Sequence, residues 1–126
     1  MYYLPDTNVL INYFAAQEPD RSLIISLITE DQLALSPLTI AELRPKNSDG
    51  EIKQLNELIA NSKIFATDVE IGLQAGKHRQ EFSNKIKKVY LIDCLIAATC
   101  KVNGLTLITN NLKDYPMKDI KILKPS

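Results

Sequence analysis

Residues 89–109 read VYLIDCLIAATCKVNGLTLIT, and the order of signals inside this stretch decides the fold. Residues 91–102 are an almost wholly apolar helical segment. Asn103-Gly104 ends it, because glycine takes up the left-handed backbone at a helix C-terminus without steric cost. Residues 105–109 then form a short apolar strand. Working outward, the same alternation recurs. Residues 1–5 read as a strand, 8–15 as a helix start, 22–30 as a helix with apolar Leu23, Ile24, Leu27 and Ile28, and 33–36 as a strand. Helices are expected over 38–43 and 51–61, separated by turn-forming Pro45, Asn47, Ser48, Asp49 and Gly50. A strand over 63–67 leads to Asp68, a good N-cap for a helix over 69–81, with a loop over 83–88 and a last strand over 120–123. This spacing predicts an α/β fold with a central parallel sheet of four to five strands, helices on both faces, and a ligand site beyond the carboxyl ends of the strands.

Three acids stand inside or beside apolar segments: Asp6 in YYLPDTNVLI, Glu42 in SPLTIAELR and Asp93 in VYLIDCLIAATC. A carboxylate buried without a partner costs several kcal/mol or takes up a proton, so three in such contexts suggest a shared cation. Asp6 directly follows the first strand, Glu42 lies a few residues after the second and Asn110-Asn111 follow the fourth, while Asp93 would stand in the first turn of the helix that leads into that strand. Each acid also has a plainer reading. Asp6 suits an N-cap, Thr39-Ile40-Ala41-Glu42 fits the S/T-x-x-E capping box, and Asp93 suits a helix's first turn. Cap and ligand are compatible roles.

The 126 residues, 45% hydrophobic and 24% charged, fit one domain spanning 1–126 with an ordinary core. No apolar run approaches the roughly 18 to 20 residues of a membrane span, and the start MYYLPD lacks a signal-peptide pattern, so a cytoplasmic protein is expected. Cys94 and Cys100 form no CxxC pair and read as reduced core residues. Net charge is zero, but residues 1–60 hold nine acids and four bases while 61–126 hold six acids and eleven bases. The densest basic stretch, Lys77, Arg79, Lys85, Lys87 and Lys88, lies just upstream of Asp93. It suits a phosphate backbone held near a metal, or equally a solvated helix face. His78 is the only histidine, and no motif pairs it with an acid. The four scattered glycines draw neither a P-loop nor GxGxxG, which argues against nucleotide hydrolysis.

PDTNVLINYF, SPLTIAEL, IDCLIAATC and TLITNN, in this order and across essentially the whole chain, resemble the PIN domain, in particular the VapC-type toxin ribonucleases of bacterial and archaeal toxin–antitoxin pairs. The resemblance implies a three-layer α/β/α domain, an acidic pocket binding Mg²⁺ or Mn²⁺, and hydrolysis of RNA phosphodiester bonds that leaves 5′ phosphates. Asp6, Glu42 and Asp93 match the family's best-defined acids. For the fourth position the match favours Asn111, whose amide oxygen can ligate a hard cation; Asp114 of the Asp114-Tyr115 pair is the second choice. Asp6 and Asp93 are expected as direct metal ligands, Glu42 as holding a second metal or orienting water, and Asn8 and Thr109 as hydrogen-bonding supports. Implied partners are RNA, a cognate antitoxin placing an Arg or Lys on the acids, and a second copy of the chain, with Tyr13, Phe14 and residues 23–28 as apolar contact or core.

Two rivals remain. A phosphoryl-accepting receiver domain wants paired acids after strand one, an Asp after strand three and a Lys after strand five, and Asp6, Thr67-Asp68 and Lys124-Pro125 fit that badly. A non-catalytic PIN-like module binding RNA or protein tolerates loss of acids, and Asn111 in place of the fourth keeps it open.

Overall fold

The computed structural model describes residues 1–83 and 89–126. Its five strands are all parallel: β1 (Tyr3–Pro5), β2 (Ala34–Leu35), β3 (Lys63–Ile64), β4 (Thr106–Ile108) and β5 (Lys121–Leu123). The hydrogen-bonded ladders are β1-β4-β5 and β2-β3. They meet at one parallel bridge, Tyr3 to Leu33, supported by the Tyr3 N–H donating to the Gln32 carbonyl at 2.9 Å. The spatial order is therefore 3-2-1-4-5, and chain order reverses between β1 and β4.

The helices are α1 (Thr7–Phe14), α2 (Asp20–Thr29), α3 (Pro37–Leu43), α4 (Asp49–Ala60), α5 (Val69–Ser83) and α6 (Leu91–Asn103). Two buried clusters divide them between the faces of the sheet. Leu4, Ala34 and Leu107 join residues of α5 and α6, whereas Leu33, Leu35 and Ile108 join residues of α1, α2, α3 and α4. Adjacent strand residues point to opposite faces, so the runs Leu33-Ala34-Leu35 and Leu107-Ile108 feed both clusters at once. That is the three-layer α/β/α arrangement, and it explains why the strands read as continuous apolar runs. Ile24 and Leu27 of α2 are core, with Tyr13 and Phe14 packed at its edge. Cys94 and Cys100 are free, buried thiols.

Three local expectations change. Asp49 and Gly50 are not turn residues but the first turn of α4, because Ser48 caps that helix in a capping box with Glu51. No box forms at Thr39, since Ser36 is the N-cap of α3 and Pro37 its first residue. Thr39 then lies within the helix, its hydroxyl donating to the Ser36 carbonyl. The third strand keeps only Lys63 and Ile64, both exposed, at the edge of the β2-β3 pair. Asp68 does cap α5, accepting from the Ile71 N–H at 2.9 Å. Of the loop expected over 83–88, Ser83 ends α5 and residues 84–88 lie outside the described residues. Among the described residues, no helix is long and apolar enough to cross a membrane.

Gly104 follows α6 at φ 65° with its N–H on the Cys100 carbonyl, in the left-handed region that other residues adopt at a cost. A Cβ there would meet no atom within 4 Å. Gly104→Ala should therefore cost only the backbone term, about 1 kcal/mol, read as a lower urea midpoint with unchanged slope; an unchanged midpoint would show that the helix end relaxes instead.

Candidate active site

The β1–β4 pairing builds the centre of the site. Pro5 sits opposite Ile108, and the Asp6 N–H donates to the Ile108 carbonyl at 2.9 Å, so Asp6 and Thr109 leave the sheet side by side. The Thr109 hydroxyl, fully buried, donates to Asp6 Oδ2 and accepts the Asn111 N–H at 3.0 Å. With its oxygen occupied by that N–H, the hydroxyl proton is aimed at Asp6. The other carboxylate oxygen accepts the Val9 N–H at 3.1 Å, making Asp6 the N-cap of α1 as well. Cap and site residue are one side chain.

Asp6, Glu42 and Asp93 line a single cavity of about 100 Å³, together with Thr7, Asn8, Lys46, Ile96, Asp114 and Tyr115. Glu42 reaches it from the end of α3, its Oε1 accepting the Thr7 hydroxyl at 2.7 Å. Asp93 is the third residue of α6, where the helix dipole favours a carboxylate. It is not the N-cap, and its Oδ1 accepts from the Tyr115 hydroxyl at a long 3.4 Å. Burial first, then the negative charges of Asp114 and Glu42, push its carboxyl up to about 6. Burial also raises Asp6, with Asp114 adding to the effect and the bonds from Thr109 and Val9 opposing it.

Asn111 does not join them. It is exposed, and the 3₁₀ turn Leu112–Asp114 that follows it swings Asp114 into the cavity instead. The fourth acid at the site is thus Asp114, the second choice from sequence. Asn8 lines the cavity, and Thr109 stands behind Asp6. Arg79 is exposed on α5 and does not line the cavity; Lys85, Lys87 and Lys88 lie outside the described residues.

Several residues escaped the sequence reading. Lys46 is the only cation lining the cavity among the described residues. Its spacing of four from Glu42, one helical turn, was the available signal. Asp20, 3% exposed, accepts the side-chain amides of Asn12 at 2.8 Å and Asn110 at 2.9 Å. His78, 2% exposed, contacts Asp119 at 3.0 Å, and Asp119 in turn pairs with Lys101. The acid–histidine pair that no motif suggested thus exists, between residues 41 apart, but outside the acidic cavity.

The donors offered to a cation are all oxygens, the set that Mg²⁺ and Mn²⁺ prefer. Among the described residues, no three acids approach closely enough to form a ready cage. The fit is therefore to an ion that keeps much of its water and takes a few carboxylates plus substrate oxygens, as Mg²⁺ does. Burial first, and then the neighbouring acids, make the charged form of Asp93 costly, and such an ion would offset that cost.

A PIN domain model matches residues 3–120. The chain belongs to the PIN domain family. It is 30% identical to Ribonuclease VapC10 of Mycobacterium tuberculosis over 97% of this chain and 90% of that protein. Among solved structures, the DNA-bound VapBC of Salmonella typhimurium has a TM-score of 0.82 at 21% identity, covering 100% of this chain and 99% of that one. A toxin–antitoxin complex from Klebsiella pneumoniae has a TM-score of 0.75 at 25% identity, covering 98% of both chains. For this PIN domain, the four acids meet where chain order reverses in the sheet, the usual ligand address of such folds.

The raised Asp93 carboxyl has a measurable consequence for folding. It titrates near 6 in the folded protein against 3.8 as its ordinary value. The folded state thus binds the extra proton, and the stability from this group is full below about 3.8 and lost as pH rises through about 6. Asp93→Asn should raise the melting temperature of the EDTA-treated protein at pH 7.5, with the gain fading by pH 4. Equal melting temperatures at pH 7.5 would mean that Asp93 carries no charge strain.

Proposed function

We propose that the protein is a metal-dependent endoribonuclease, the toxin half of a toxin–antitoxin pair, with residues 1–126 acting as one domain. The observation that carries this reading is the convergence of Asp6, Glu42, Asp93 and Asp114 on one cavity at the β1–β4 switch point. The likeness to a protein named as a ribonuclease supports RNA as the substrate, and the likeness to a toxin–antitoxin complex supports a protein partner. Such a partner would silence the site by placing an Arg or Lys on its carboxylates. A non-catalytic module drew its support from a missing fourth acid, and Asp114 in the cavity lining removes that support.

Mg²⁺ or Mn²⁺, when bound, supplies positive charge that polarises the scissile phosphate, acidifies the attacking water and stabilises the leaving 3′ oxygen. Asp6 and Asp93 would hold the ion, with Asp114 beside them. Thr109 and the Val9 N–H hold the Asp6 carboxylate in one orientation, and Tyr115 steadies Asp93. Glu42 spends Oε1 on Thr7, which leaves Oε2 to orient the attacking water. Lys46 offers an ammonium to a non-bridging phosphate oxygen. The water oxygen bonds to phosphorus, the P–O3′ bond breaks, the water's proton passes to solvent and O3′ takes one up. The products are a 5′ phosphate and a 3′ hydroxyl.

Purified protein should cut a structured RNA mixture with Mg²⁺ or Mn²⁺ and not with EDTA. Asp93→Asn should cut at least roughly 100-fold more slowly, the upper end of what loss of even an outer hydrogen-bond partner costs a metal site. Asn111→Ala should retain cutting. Cutting that survives EDTA, or that Asp93→Asn leaves intact, would sink the reading.

A further inference from the structure

The acidic cavity is small. At about 100 Å³ it has room for roughly three waters at about 30 Å³ each, enough for a hydrated ion and phosphate oxygens but not for a nucleoside. Pockets that enclose small organic ligands run from about 300 Å³ upward. A nucleoside next to the scissile phosphate would lie outside the acidic cavity.

Two neighbouring cavities share a wall residue with the acids. One, of about 140 Å³, shares Lys46 and is lined largely by Ile11, Phe14, Ala15 and Leu43, too small and too apolar for a nucleotide. The other, of about 390 Å³, shares Asp114 and is lined by Asn110, Asn111, Leu112, Lys113 and Lys124. Its lining combines side-chain amides, an apolar edge and two ammonium groups, which is the chemistry a base and a phosphate require.

The loop carrying these amides is braced on two sides. The Asn110 amide nitrogen donates to buried Asp20 at 2.9 Å, and the Asn111 N–H donates to the Thr109 hydroxyl that holds Asp6. The Asn111 side chain itself is exposed and makes no hydrogen bond among the described residues. A fixed backbone thus presents a free amide, able both to donate and to accept, beside the catalytic acids.

We infer that the cavity formed by Asn110, Asn111, Leu112, Lys113 and Lys124 is a ribonucleotide subsite, taking the nucleotide adjacent to the scissile phosphate of a single-stranded RNA. Asn111 reads the base edge through its side-chain amide, and Lys124 meets a backbone phosphate. The inference rests on the nuclease reading for its choice of ligand.

The test uses the Asp93→Asn chain, which holds RNA uncut, in Mg²⁺, with four fluorescent single-stranded RNAs differing in base and anisotropy as the readout. Added Lys124→Ala should weaken binding of all four roughly tenfold and flatten the dependence of log affinity on log salt by about 0.7, one phosphate's share for a single strand. Added Asn111→Ala keeps its backbone N–H bond to Thr109, so it should leave the salt slope unchanged while levelling the affinities among the four RNAs. If both variants match the parent in affinity, preference and slope, or if the parent binds none of the RNAs, the subsite does not exist. Cutting by the otherwise unmodified protein with metal is scored separately. Cutting with no effect of the two variants on binding would sink the subsite alone, and binding through the cavity without cutting would sink the nuclease alone.

Discussion

The parallel pairing of β1 with β4 is the constraint on which the rest of the site depends. Its register sets Pro5 opposite Ile108, and each strand then delivers one polar residue beyond the sheet edge, Asp6 and Thr109. A chain of donors, from the Asn111 N–H to the Thr109 hydroxyl to Asp6, locks these residues together in a buried setting where hydrogen bonds are strong. A slip of one residue would turn Asp6 toward the opposite face and break that chain together with the α1 cap. Fold and site are specified by the same few atoms.

Around that anchor, negative charge is gathered against its own repulsion. Four carboxylates share a cavity that carries a single lysine among the described residues. Burial, and after it the charges of Asp114 and Glu42, raise Asp93 to about 6, so the fold favours its uncharged form. Rigid supports hold the acids in place: the end of β1 for Asp6, the last turn of α3 for Glu42 and the first turn of α6 for Asp93. A site that keeps such unfavourable charge stores an affinity for cations, and this separates it from His78, Asp119 and Lys101, where opposite charges meet and need no ion.

The legible part of this structure in its sequence was the part written in local pattern. Apolar runs bounded by Gly104 and Asp68 mark α6, β4 and α5 at nearly their observed ends. Asp6, Glu42 and Asp93 were conspicuous because each interrupts such a run. What stayed hidden depends on backbone direction or on distance along the chain. Whether Asn111 or Asp114 enters the cavity is decided by a three-residue 3₁₀ turn with no sequence signature of its own. The S/T-x-x-E pattern at Thr39 does not mark a helix start, because Ser36 already caps α3, whereas Ser48 and Glu51 form the capping box of α4. The His78–Asp119 contact and the Asp20–Asn110 contact join residues 41 and 90 apart, beyond any local periodicity.

The same hidden geometry separates the acidic cavity from the larger one beside it. Asp6, Glu42 and Asp93 sit at strand and helix ends, where packing on both faces of the sheet leaves little freedom. The amides and lysines of the adjoining cavity sit on the loop after β4 and at the end of β5. Loops of this kind can change residue without disturbing a core. Asp114 belongs to both cavities, so a substrate seated in the larger one meets the acids through a shared wall. Because the smaller cavity is too tight for a base, the proposed nuclease would have to discriminate among RNAs outside the acids, in side chains that the core leaves free to vary.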